Sequence, residues 1–358
     1  MKVLMIGPCP PPLGGVSVFI KRYKQKMENA GHEVVVLDPC SLSKIRYCTS
    51  LFLTARGNYD LISINVASFY VLAIIFLVGL ASKAQVIDHN WRQLERWNVL
   101  KVRLFSYMVN SSRELILVGS HLKAYYRGHG VKLPLNRVQV QNAFIHPPVE
   151  DEPKILETYS ADVHKFVETR SPLLVANGSG ITFYQGVDIY GLDMCVELVA
   201  ALKKTNENIG LLFALADISD REYYEDVNRR IDELGIRDNF HFMTGQKELW
   251  PLLKKADLMV RPTCTDGYCT SVAEARAFGC AVVASDVCQR ARGSVIFANR
   301  RNDDLLLKCA EVLSAARQES RESVDEEQSV DVSALDYRIF DCLISQPLND
   351  ETQFGYSN

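Results

Sequence analysis

Two carboxylates stand eight positions apart in one short stretch of the chain, Asp266 and Glu274. Asp266 lies in a run of Thr, Asp and Gly residues that is typical of a loop, and Glu274 lies in an Ala-rich segment that indicates a helix. Carboxylates accept charge-assisted hydrogen bonds, which are roughly twice as strong as neutral ones. The pair therefore suits a ligand that carries many hydroxyl groups, such as a ribose or a hexose.

The flanking residues predict a strand, a loop, a helix and a second strand. The apolar run Asp257–Val260 indicates a buried strand, and Thr270 or Ser271 is a plausible N-cap for a helix through Phe278 that Gly279 ends. Free backbone N–H groups and the helix dipole favour an anion such as a diphosphate at that helix start. The plainer alternative is an ordinary strand–loop–helix unit with a turn aspartate. The residues predicted to bind such a ligand here are Gly267, Tyr268, Cys269, Thr270, Ser271 and Glu274.

The carboxylate spacing, followed by the segment from Ala275 to Ser285, resembles the retaining glycosyltransferases of family 4, which have two Rossmann-like domains (the GT-B class). The resemblance covers residues 2–320. It implies that Asp266 contacts the sugar of a nucleotide-sugar donor and that Glu274 binds the ribose. The family usually has Glu at the first position, so the shorter Asp266 is a departure.

Length and composition favour two folded domains. A chain of 358 residues exceeds what one core usually fills, and 47% of its residues are hydrophobic. Residues 1–148 hold 18 Lys and Arg against 7 Asp and Glu, whereas the remainder holds 22 against 36. A basic face attracts anionic lipid, phosphorylated substrate or nucleic acid. Basic residues do not alternate with aromatic ones as in nucleic-acid binders, so we expect no nucleic-acid partner.

Short apolar runs alternate with helical segments in both halves, which predicts an α/β fold of two Rossmann-like, doubly wound domains facing a cleft. Among the predicted strands are Lys2–Ile6, Glu33–Leu37, Leu61–Ile64, Gly210–Leu215 and Ala281–Ser285, and residues 248–255 are predicted to be a helix. Pro147, Pro148 and the acidic residues after them mark a linker. The predicted domains are residues 1–148, on the acceptor side, and residues 149–334, which bind the donor. A polar segment from Gln318 to Ser333 indicates a solvated connector, and the tail 335–358 is expected to pack back on the first domain.

Two features of the first domain are candidate site residues. The loop at Gly14 and Gly15 lacks the G-x-G-x-x-G spacing of a dinucleotide site and resembles the family's acceptor-side loop. Its glycines permit unusual backbone conformations and close substrate approach, with a flexible turn as the alternative. His89 follows a predicted strand where the family has a histidine near the reacting sugar; a purely structural histidine is the alternative.

The second domain departs from the family where the donor diphosphate binds. The family usually has an Arg after the first strand and a Lys before the next helix, but this chain has Ser179 and Tyr190 there. Backbone amides at Gly178 and Ser179 could replace part of that charge. Arg261 and Arg290 are the other candidates for donor binding.

The remaining observations concern metal, compartment and membrane. Ten cysteines without a Cys-x2-Cys pair, in a chain that begins with a predicted strand, predict reduced thiols in the cytoplasm and no structural metal. Residues 66–82 are uncharged, which indicates a buried helix, with a membrane-spanning helix as the alternative. Basic segments around residues 21–26 and 92–103 are compatible with contact with anionic lipid on the inner face of a membrane. An ordinary solvated helix face is the alternative for residues 21–26.

Taken with the resemblance, these patterns predict a metal-independent, retaining glycosyltransferase without a cofactor. It would move a hexose-type sugar from a nucleoside-diphosphate sugar to a glycan or lipid-linked acceptor in polysaccharide or glycolipid biosynthesis. The main alternative is a catalytically silent GT-B protein that binds partners in a glycan assembly complex. A nucleotide-sugar epimerase would need the missing dinucleotide fingerprint, and a membrane-anchoring scaffold would depend on residues 66–82.

Overall fold

A computed structural model describes residues 1–39, 43–65, 68–89, 94–133 and 136–322. The first domain is built on one sheet of six parallel strands, with the order β2-β1-β3-β4-β5-β6. Their bounds are β1 (Lys2–Ile6), β2 (Glu33–Leu37), β3 (Leu61–Ile64), β4 (Ala84–Asp88), β5 (Glu114–Leu117) and β6 (Val138–Val140).

Five α-helices connect these strands: α1 (Gly15–Asn29), α2 (Lys44–Ala55), α3 (Phe69–Leu77), α4 (Val99–Ser111) and α5 (His121–Gly128). Helix α1 forms because Phe19, Tyr23 and Met27 repeat at helical spacing and are buried against the sheet. It starts at Gly14, whose N–H donates to the Ser17 hydroxyl at 2.9 Å. This start places the first turn of α1 at the cleft.

The second domain contains a sheet of six parallel strands in the order β11-β10-β7-β12-β13-β14, and a small antiparallel hairpin of β8 and β9. The strands are β7 (Leu173–Gly178), β8 (Phe183–Tyr184), β9 (Val187–Asp188), β10 (Gly210–Leu215), β11 (Phe240–Thr244), β12 (Leu258–Arg261), β13 (Ala281–Ser285) and β14 (Val295–Phe297). The helices are α6 (Glu152–Leu156), α7 (Ala161–Thr169), α8 (Leu192–Lys203), α9 (Arg221–Glu233), α10 (Trp250–Leu253), α11 (Thr270–Ala277) and α12 (Asn302–Glu322).

The predicted fold class is confirmed by these two Rossmann-like sheets. Strands β3, β10 and β12 are buried throughout, as expected for parallel sheets that helices cover on both faces. Strand order reverses between β1 and β3 in the first sheet and between β7 and β12 in the second. Ligands of open α/β sheets bind at the carboxyl ends of strands beside such a reversal. The fold therefore directs attention to the ends of β7 and β12.

The structure can be compared with three predictions about chain segments. Helix α12 runs to Glu322, so the start of the segment predicted as a solvated connector is helical. The tail 335–358 lies outside the described residues, and the domain boundary predicted at residue 148 stays a prediction. In the uncharged run 66–82, α3 has nine residues, of which Val71, Leu72 and Ile75 are buried while Tyr70 and Leu77 are exposed. Among the described residues, no helix combines the length and apolar character that crossing a membrane requires.

Candidate functional site

A cavity of about 600 Å³ lies between the two domains, at the carboxyl ends of β7 and β12. Of the residues predicted to form the site, all except Arg290 line it: Gly14, Gly15, His89, Gly178, Ser179, Tyr190, Arg261, Asp266, Gly267, Tyr268, Cys269, Thr270, Ser271 and Glu274. Residues that are far apart in sequence are thus brought to one place. Their chemical roles stay predictions at this point.

Helix α11 begins at the cavity. Its N-cap is Cys269, one residue before Thr270 and two before Ser271, the two predicted N-caps, and the Cys269 side chain makes no capping hydrogen bond. The Ser271 hydroxyl instead donates to Oδ1 of Asn177 at 3.0 Å, which ties the helix start to the end of β7. The first backbone N–H groups of α11 therefore lie beside the cavity, where the helix dipole favours an anion.

Asp266 is the centre of a buried ion-pair cluster. Its Oδ2 lies 2.8 Å from Nη1 of Arg290, 3.3 Å from Nε of Arg261 and 3.3 Å from the Thr263 hydroxyl. Burial by itself would raise the pKa of this carboxyl, but the two guanidinium groups outweigh burial and lower it. Asp266 is therefore ionised, and one of its oxygens is used to position arginines.

Arg290 does not reach the cavity, in contrast to its predicted contact with the donor. Its buried guanidinium donates to the Ser285 carbonyl at 3.0 Å, the Ser285 hydroxyl at 2.9 Å and the Thr263 hydroxyl at 3.0 Å, in addition to Asp266. Every nitrogen of the group is therefore engaged within the second domain. In this structure Arg290 supports Asp266 instead of facing a ligand.

Ser179 and Tyr190, at the two positions where the resembled family has cations, contact each other. The Ser179 hydroxyl and the Tyr190 hydroxyl are 2.5 Å apart. The Tyr190 ring lies against Gly178, where an added Cβ would come within 3.0 Å of the ring. The next residue, Gly191, has φ +66° and precedes α8. This corner of the cavity thus presents two hydroxyl groups and no charge of its own.

Glu274 forms a buried ion pair with the first domain. Its Oε1 lies 2.5 Å from Nη1 of Arg22 on α1, and Arg22 also donates to the Ile145 carbonyl at 3.0 Å. Burial raises the pKa of Glu274, and the Arg22 guanidinium opposes that shift. Sequence reasoning missed this contact and assigned the basic side of α1 to lipid. Lys21 also points to the second domain, because its Nζ lies 2.6 Å from Glu248.

His89 is neutral in this environment. Burial lowers its pKa to about 3, and its ring packs edge-on against Phe19 at 4.9 Å between centroids. Nε2 lies 3.3 Å from Oδ1 of Asn65. Since an amide oxygen only accepts, Nε2 carries the proton and Nδ1 keeps its lone pair. The side chain can therefore accept one hydrogen bond from a sugar hydroxyl.

The loop at Gly14 and Gly15 faces the second domain across the cleft. A Cβ added to Gly14 would lie 3.8 Å from the Ser179 Cβ, and one added to Gly15 would lie 3.8 Å from the Thr270 hydroxyl. The φ of Gly14 is −158°, which any residue adopts. Gly14 therefore does not use the backbone conformations that only glycine permits, and close substrate approach stays a prediction.

The carboxyl end of α11 touches the segment that joins the domains. The ring of Phe278 lies 5.4 Å from the ring of His146 in that segment and stacks on Trp250 at 5.4 Å. His146 in turn packs against Phe144 at 5.7 Å. Helix α11 thus contacts the cavity at one end and the interdomain segment at the other.

Comparison with known proteins agrees with this architecture. Residues 177–316 match the family model described as glycosyl transferases group 1. A curated relative, lipopolysaccharide glucosyltransferase WaaG of Escherichia coli (strain K12), is 28% identical over 98 residues, which span 27% of this chain and about a quarter, 25%, of that relative.

Solved structures match almost the whole chain. Anabaena HepE in complex with UDP and glucose superposes with a TM-score of 0.65 at 12% identity, covering 90% of this chain and 91% of that chain. A crystal structure of WaaG, a glycosyltransferase of lipopolysaccharide biosynthesis, gives a TM-score of 0.62 at 15% identity, covering 96% of this chain and 98% of that chain. The chain thus has the GT-B fold, and its residues 177–316 match the family model of glycosyl transferases group 1.

Proposed function

We propose that this protein is a retaining glycosyltransferase that moves a hexose from a nucleoside-diphosphate sugar to a glycan or lipid-linked acceptor. The observation that carries the proposal is the cavity between the domains, which Asp266, Glu274 and the start of α11 face from one side and Gly14, Gly15 and His89 from the other. Structures of Anabaena HepE contain UDP and UDP-glucose, which makes a uridine nucleotide the first donor to test.

The proposed roles follow from the geometry. Glu274 accepts hydrogen bonds from the ribose after it exchanges Arg22 for the nucleotide, and the first amides of α11 bind the diphosphate. Oδ1 of Asp266, which also accepts from the Gly267 N–H at 3.1 Å, and Nδ1 of neutral His89 accept from hydroxyls of the donor sugar. The acceptor enters beside Gly14. Charge on the departing diphosphate is held by protein dipoles and cations, so the proposed reaction requires neither a metal ion nor a cofactor.

Nucleotide binding is the first test. Thermal unfolding is measured with UDP, GDP, ADP and CMP, each with and without EDTA, because a ligand that binds the folded state raises the melting temperature by mass action. We expect one diphosphate to raise it equally in both conditions. If none of the four nucleotides raises the melting temperature, the proposed donor site is refuted. If EDTA abolishes the rise, the proposed metal independence is refuted.

Turnover is the second test. Release of the nucleotide from the donor that binds is compared between wild type, Glu274→Gln and the control Glu311→Gln, whose side chain pairs with Lys308 on the exposed side of α12. We expect only Glu274→Gln to weaken donor binding, by about 10- to 100-fold, since a hydrogen bond to a charged group is worth about 1.5–3 kcal/mol. Nuclear magnetic resonance of the product then reports whether the anomeric configuration is retained.

A second candidate function is a catalytically silent binding protein. It is favoured by the uncharged Ser179 and Tyr190 pair, since transferases of the resembled family usually have two cations there. The two functions differ in one result. A protein that binds a nucleotide sugar tightly and releases no nucleotide in the presence of crude glycan and lipid acceptors would be the silent form.

We further propose that the acceptor is reached at an anionic membrane surface. The apolar patch that would rest on lipid consists of exposed side chains on α2, α3 and α4: Ile45, Phe52, Leu53, Tyr70, Leu77, Val99, Leu100, Leu104 and Tyr107. Helix α3 packs between α2 and α4, so the patch is continuous across the three helices. An exposed apolar surface of this size on a folded domain marks a site of interaction.

The residues around the apolar patch are mostly basic, which favours binding to an anionic membrane surface. Over residues 43–56, 68–83 and 94–112 the sequence contains seven basic residues, Lys44, Arg46, Arg56, Lys83, Arg96, Lys101 and Arg103, against the single acidic Glu95. Each basic residue near an anionic bilayer contributes about 1 kcal/mol of attraction. Arg96 also lines the cavity, so the patch lies beside its mouth. A lipid-linked acceptor could therefore enter without leaving the membrane.

Vesicle flotation tests the membrane surface. Wild type should float with phosphatidylcholine vesicles that contain phosphatidylglycerol, and less with phosphatidylcholine alone. Leu100→Ser with Leu104→Ser should lose flotation, whereas the control Leu307→Ser, an equally exposed leucine on α12, should not. High salt should weaken only the electrostatic contribution to vesicle binding. Equal flotation of both variants would refute the patch.

A further inference from the structure

This chain lacks the two cations with which the resembled family binds the donor diphosphate, but a different cation lies at the end of β12. Arg261 is the last residue of β12, at the point where strand order reverses beside β7. Its Nη1 donates to the Asn177 carbonyl at 2.7 Å and to Asn177 Oδ1 at 3.0 Å. These bonds to the neighbouring strand fix the guanidinium at the cavity. Because Arg261 is only 7% exposed, its charge is poorly solvated.

The cluster around Arg261 has more positive than negative charge. Two guanidinium groups, those of Arg261 and Arg290, share the single carboxylate of Asp266. All nitrogens of Arg290 are engaged inside the domain, whereas Nη2 of Arg261 has no hydrogen-bond partner among the described residues. A buried net charge is costly unless it is paired. The open donor therefore belongs to an anion that enters the cavity.

The neighbours of Arg261 suit a phosphate group. Its guanidinium carbon lies 5.2 Å from the centre of the Tyr190 ring, and the Tyr190 hydroxyl contacts Ser179. One of these hydroxyls donates to the other, so the pair offers one free hydroxyl donor next to the cation. The first amides of α11 lie across the same cavity. Guanidinium groups bind phosphate oxygens with fixed geometry, and Arg remains charged at every physiological pH.

Two other cations among the described residues line the cavity, and their surroundings differ from that of Arg261. Arg96 is exposed, so water screens its charge. Lys247 is partly buried, and its Nζ donates to the Thr158 carbonyl. Neither side chain is held on a sheet end beside the α11 start. Arg261 is the cation whose position, burial and open donor coincide.

We propose that Arg261, with the hydroxyls of Ser179 and Tyr190, binds the donor diphosphate and replaces the two missing cations. This inference rests on the proposed transferase function. In the reaction the bond between the anomeric carbon and the diphosphate oxygen breaks and its electron pair stays on that oxygen. The acceptor hydroxyl oxygen bonds to the carbon, and its proton passes to the released diphosphate. Arg261 stabilises the charge that develops on the leaving oxygen.

Titration calorimetry with inorganic pyrophosphate, UDP and uridine tests the proposal. Arg261→Gln should weaken pyrophosphate and UDP binding by about 10- to 100-fold, the loss of one charge-assisted hydrogen bond. Binding of uridine should stay within about twofold, because the nucleoside part does not touch this residue. Lys247→Gln, in the same cavity, should cost less than Arg261→Gln, and the exposed Arg229→Gln should change nothing.

A second variant covers the case in which Arg261→Gln does not fold. Tyr190→Lys restores a cation at a position where the resembled family has one, and it should strengthen pyrophosphate binding and rescue Arg261→Gln. Unchanged affinity in Tyr190→Lys, or a larger loss in Lys247→Gln than in Arg261→Gln, would overturn the proposal. Pyrophosphate that binds through Arg261 while no nucleotide binds would refute the transferase and leave this inference standing. Wild type that binds neither pyrophosphate nor a nucleotide would overturn both.

Discussion

Arg22 of the first domain and Glu274 of the second form a buried ion pair with 2.5 Å between Nη1 and Oε1. The carboxylate that we assign to the donor ribose is thus the same one that ties the two domains together. A nucleotide that replaces Arg22 at Glu274 would break this contact between the domains, and donor binding would then be thermodynamically linked to the angle between them.

Arg22→Met should destabilise the protein in a pH-dependent way. Burial already raises the pKa of Glu274, and loss of the guanidinium raises it further. For a carboxyl with a raised folded-state pKa, stability is retained below its unfolded value near 4.5 and lost as pH rises towards the folded value. We expect near-wild-type stability at pH 4.5 and a deficit of about 3–5 kcal/mol at pH 8 by urea unfolding.

The double variant Arg22→Met with Glu274→Gln is the control for that prediction. It removes the buried charge along with its partner, so most of the stability at pH 8 should return. If Arg22→Met alone loses the same stability at both pH values, the ion pair is not its cause.

Asp266→Asn should destabilise the fold as well as lower turnover. The variant leaves Arg261 and Arg290 buried without their carboxylate, at a cost of about 3–5 kcal/mol at pH 7. Because the pKa of Asp266 is lowered, its contribution is present above the unfolded value of about 3.9 and is lost as pH falls below it. The difference in the free energy of unfolding between variant and wild type should therefore become smaller at acidic pH.

Asp193→Asn is the matched comparison for Asp266→Asn, because Asp193 pairs with Arg300 at the surface. Exposed pairs contribute about 0–1 kcal/mol, so this variant should stay near wild type. Added pyrophosphate should stabilise Asp266→Asn more than wild type, as measured by thermal unfolding. An equal loss of stability in Asp266→Asn and Asp193→Asn would contradict the stabilising role of the buried cluster around Asp266.

His89→Asn should make the protein less sensitive to acid. The pKa of His89 is about 3 when folded, below its unfolded value of about 6.5, so the unfolded chain takes up the proton first. Stability is then lost as pH falls from about 6.5 to about 3, and His89 contributes about 2 kcal/mol of loss between pH 7 and 5. Urea unfolding of both proteins at the two pH values measures the difference. An identical pH dependence would show that His89 is not buried as a neutral group.

Gly14, which lines the cavity, and Gly191, which follows the cavity residue Tyr190, should respond differently to alanine. Gly14 has an extended backbone and free space of 3.8 Å to Ser179, so Gly14→Ala should change stability by less than about 1 kcal/mol. Gly191 has φ +66°, and an added Cβ would lie 2.5 Å from the Pro262 carbonyl oxygen, so Gly191→Ala should cost at least about 2 kcal/mol. A raised KM for the acceptor in Gly14→Ala, with stability unchanged, would support close substrate approach.

Most of the sheet could be predicted from sequence because buried parallel strands appear as apolar runs. Strands β1, β2, β3, β10 and β13 have the predicted bounds. The edge strands β6 and β14 were missed because three residues carry too little pattern to distinguish them from loop. The helix at residues 248–255 was predicted too long, since only Trp250–Leu253 is α-helical. Its short apolar segment gives no periodicity from which to read the ends.

The site was predictable where one segment carries it and not where contacts join distant segments. Asp266 and Glu274 were found from a local motif, whereas Arg22 lies 252 positions before its partner Glu274. A signal was present, because Arg22 falls three residues after Phe19 within the buried stripe of α1. A cation in such a stripe needs a buried partner, but sequence alone does not name it. Arg290 was predicted to contact the donor, but it does not line the cavity. Only the three-dimensional structure shows that its nitrogens already form hydrogen bonds within the second domain.

The ring contact between Phe278 and His146 gives α11 a mechanical role. This helix meets the donor cavity with its amino end and the interdomain segment with its carboxyl end, over only eight residues. Trp250 stacks behind Phe278 and keeps the ring from turning away. Any rotation that displaces His146 relative to the second domain must either carry α11 with it or separate the rings. The helix therefore contacts both the cavity and the interdomain segment, so a shift of α11 on ligand binding would also displace Phe278 against His146.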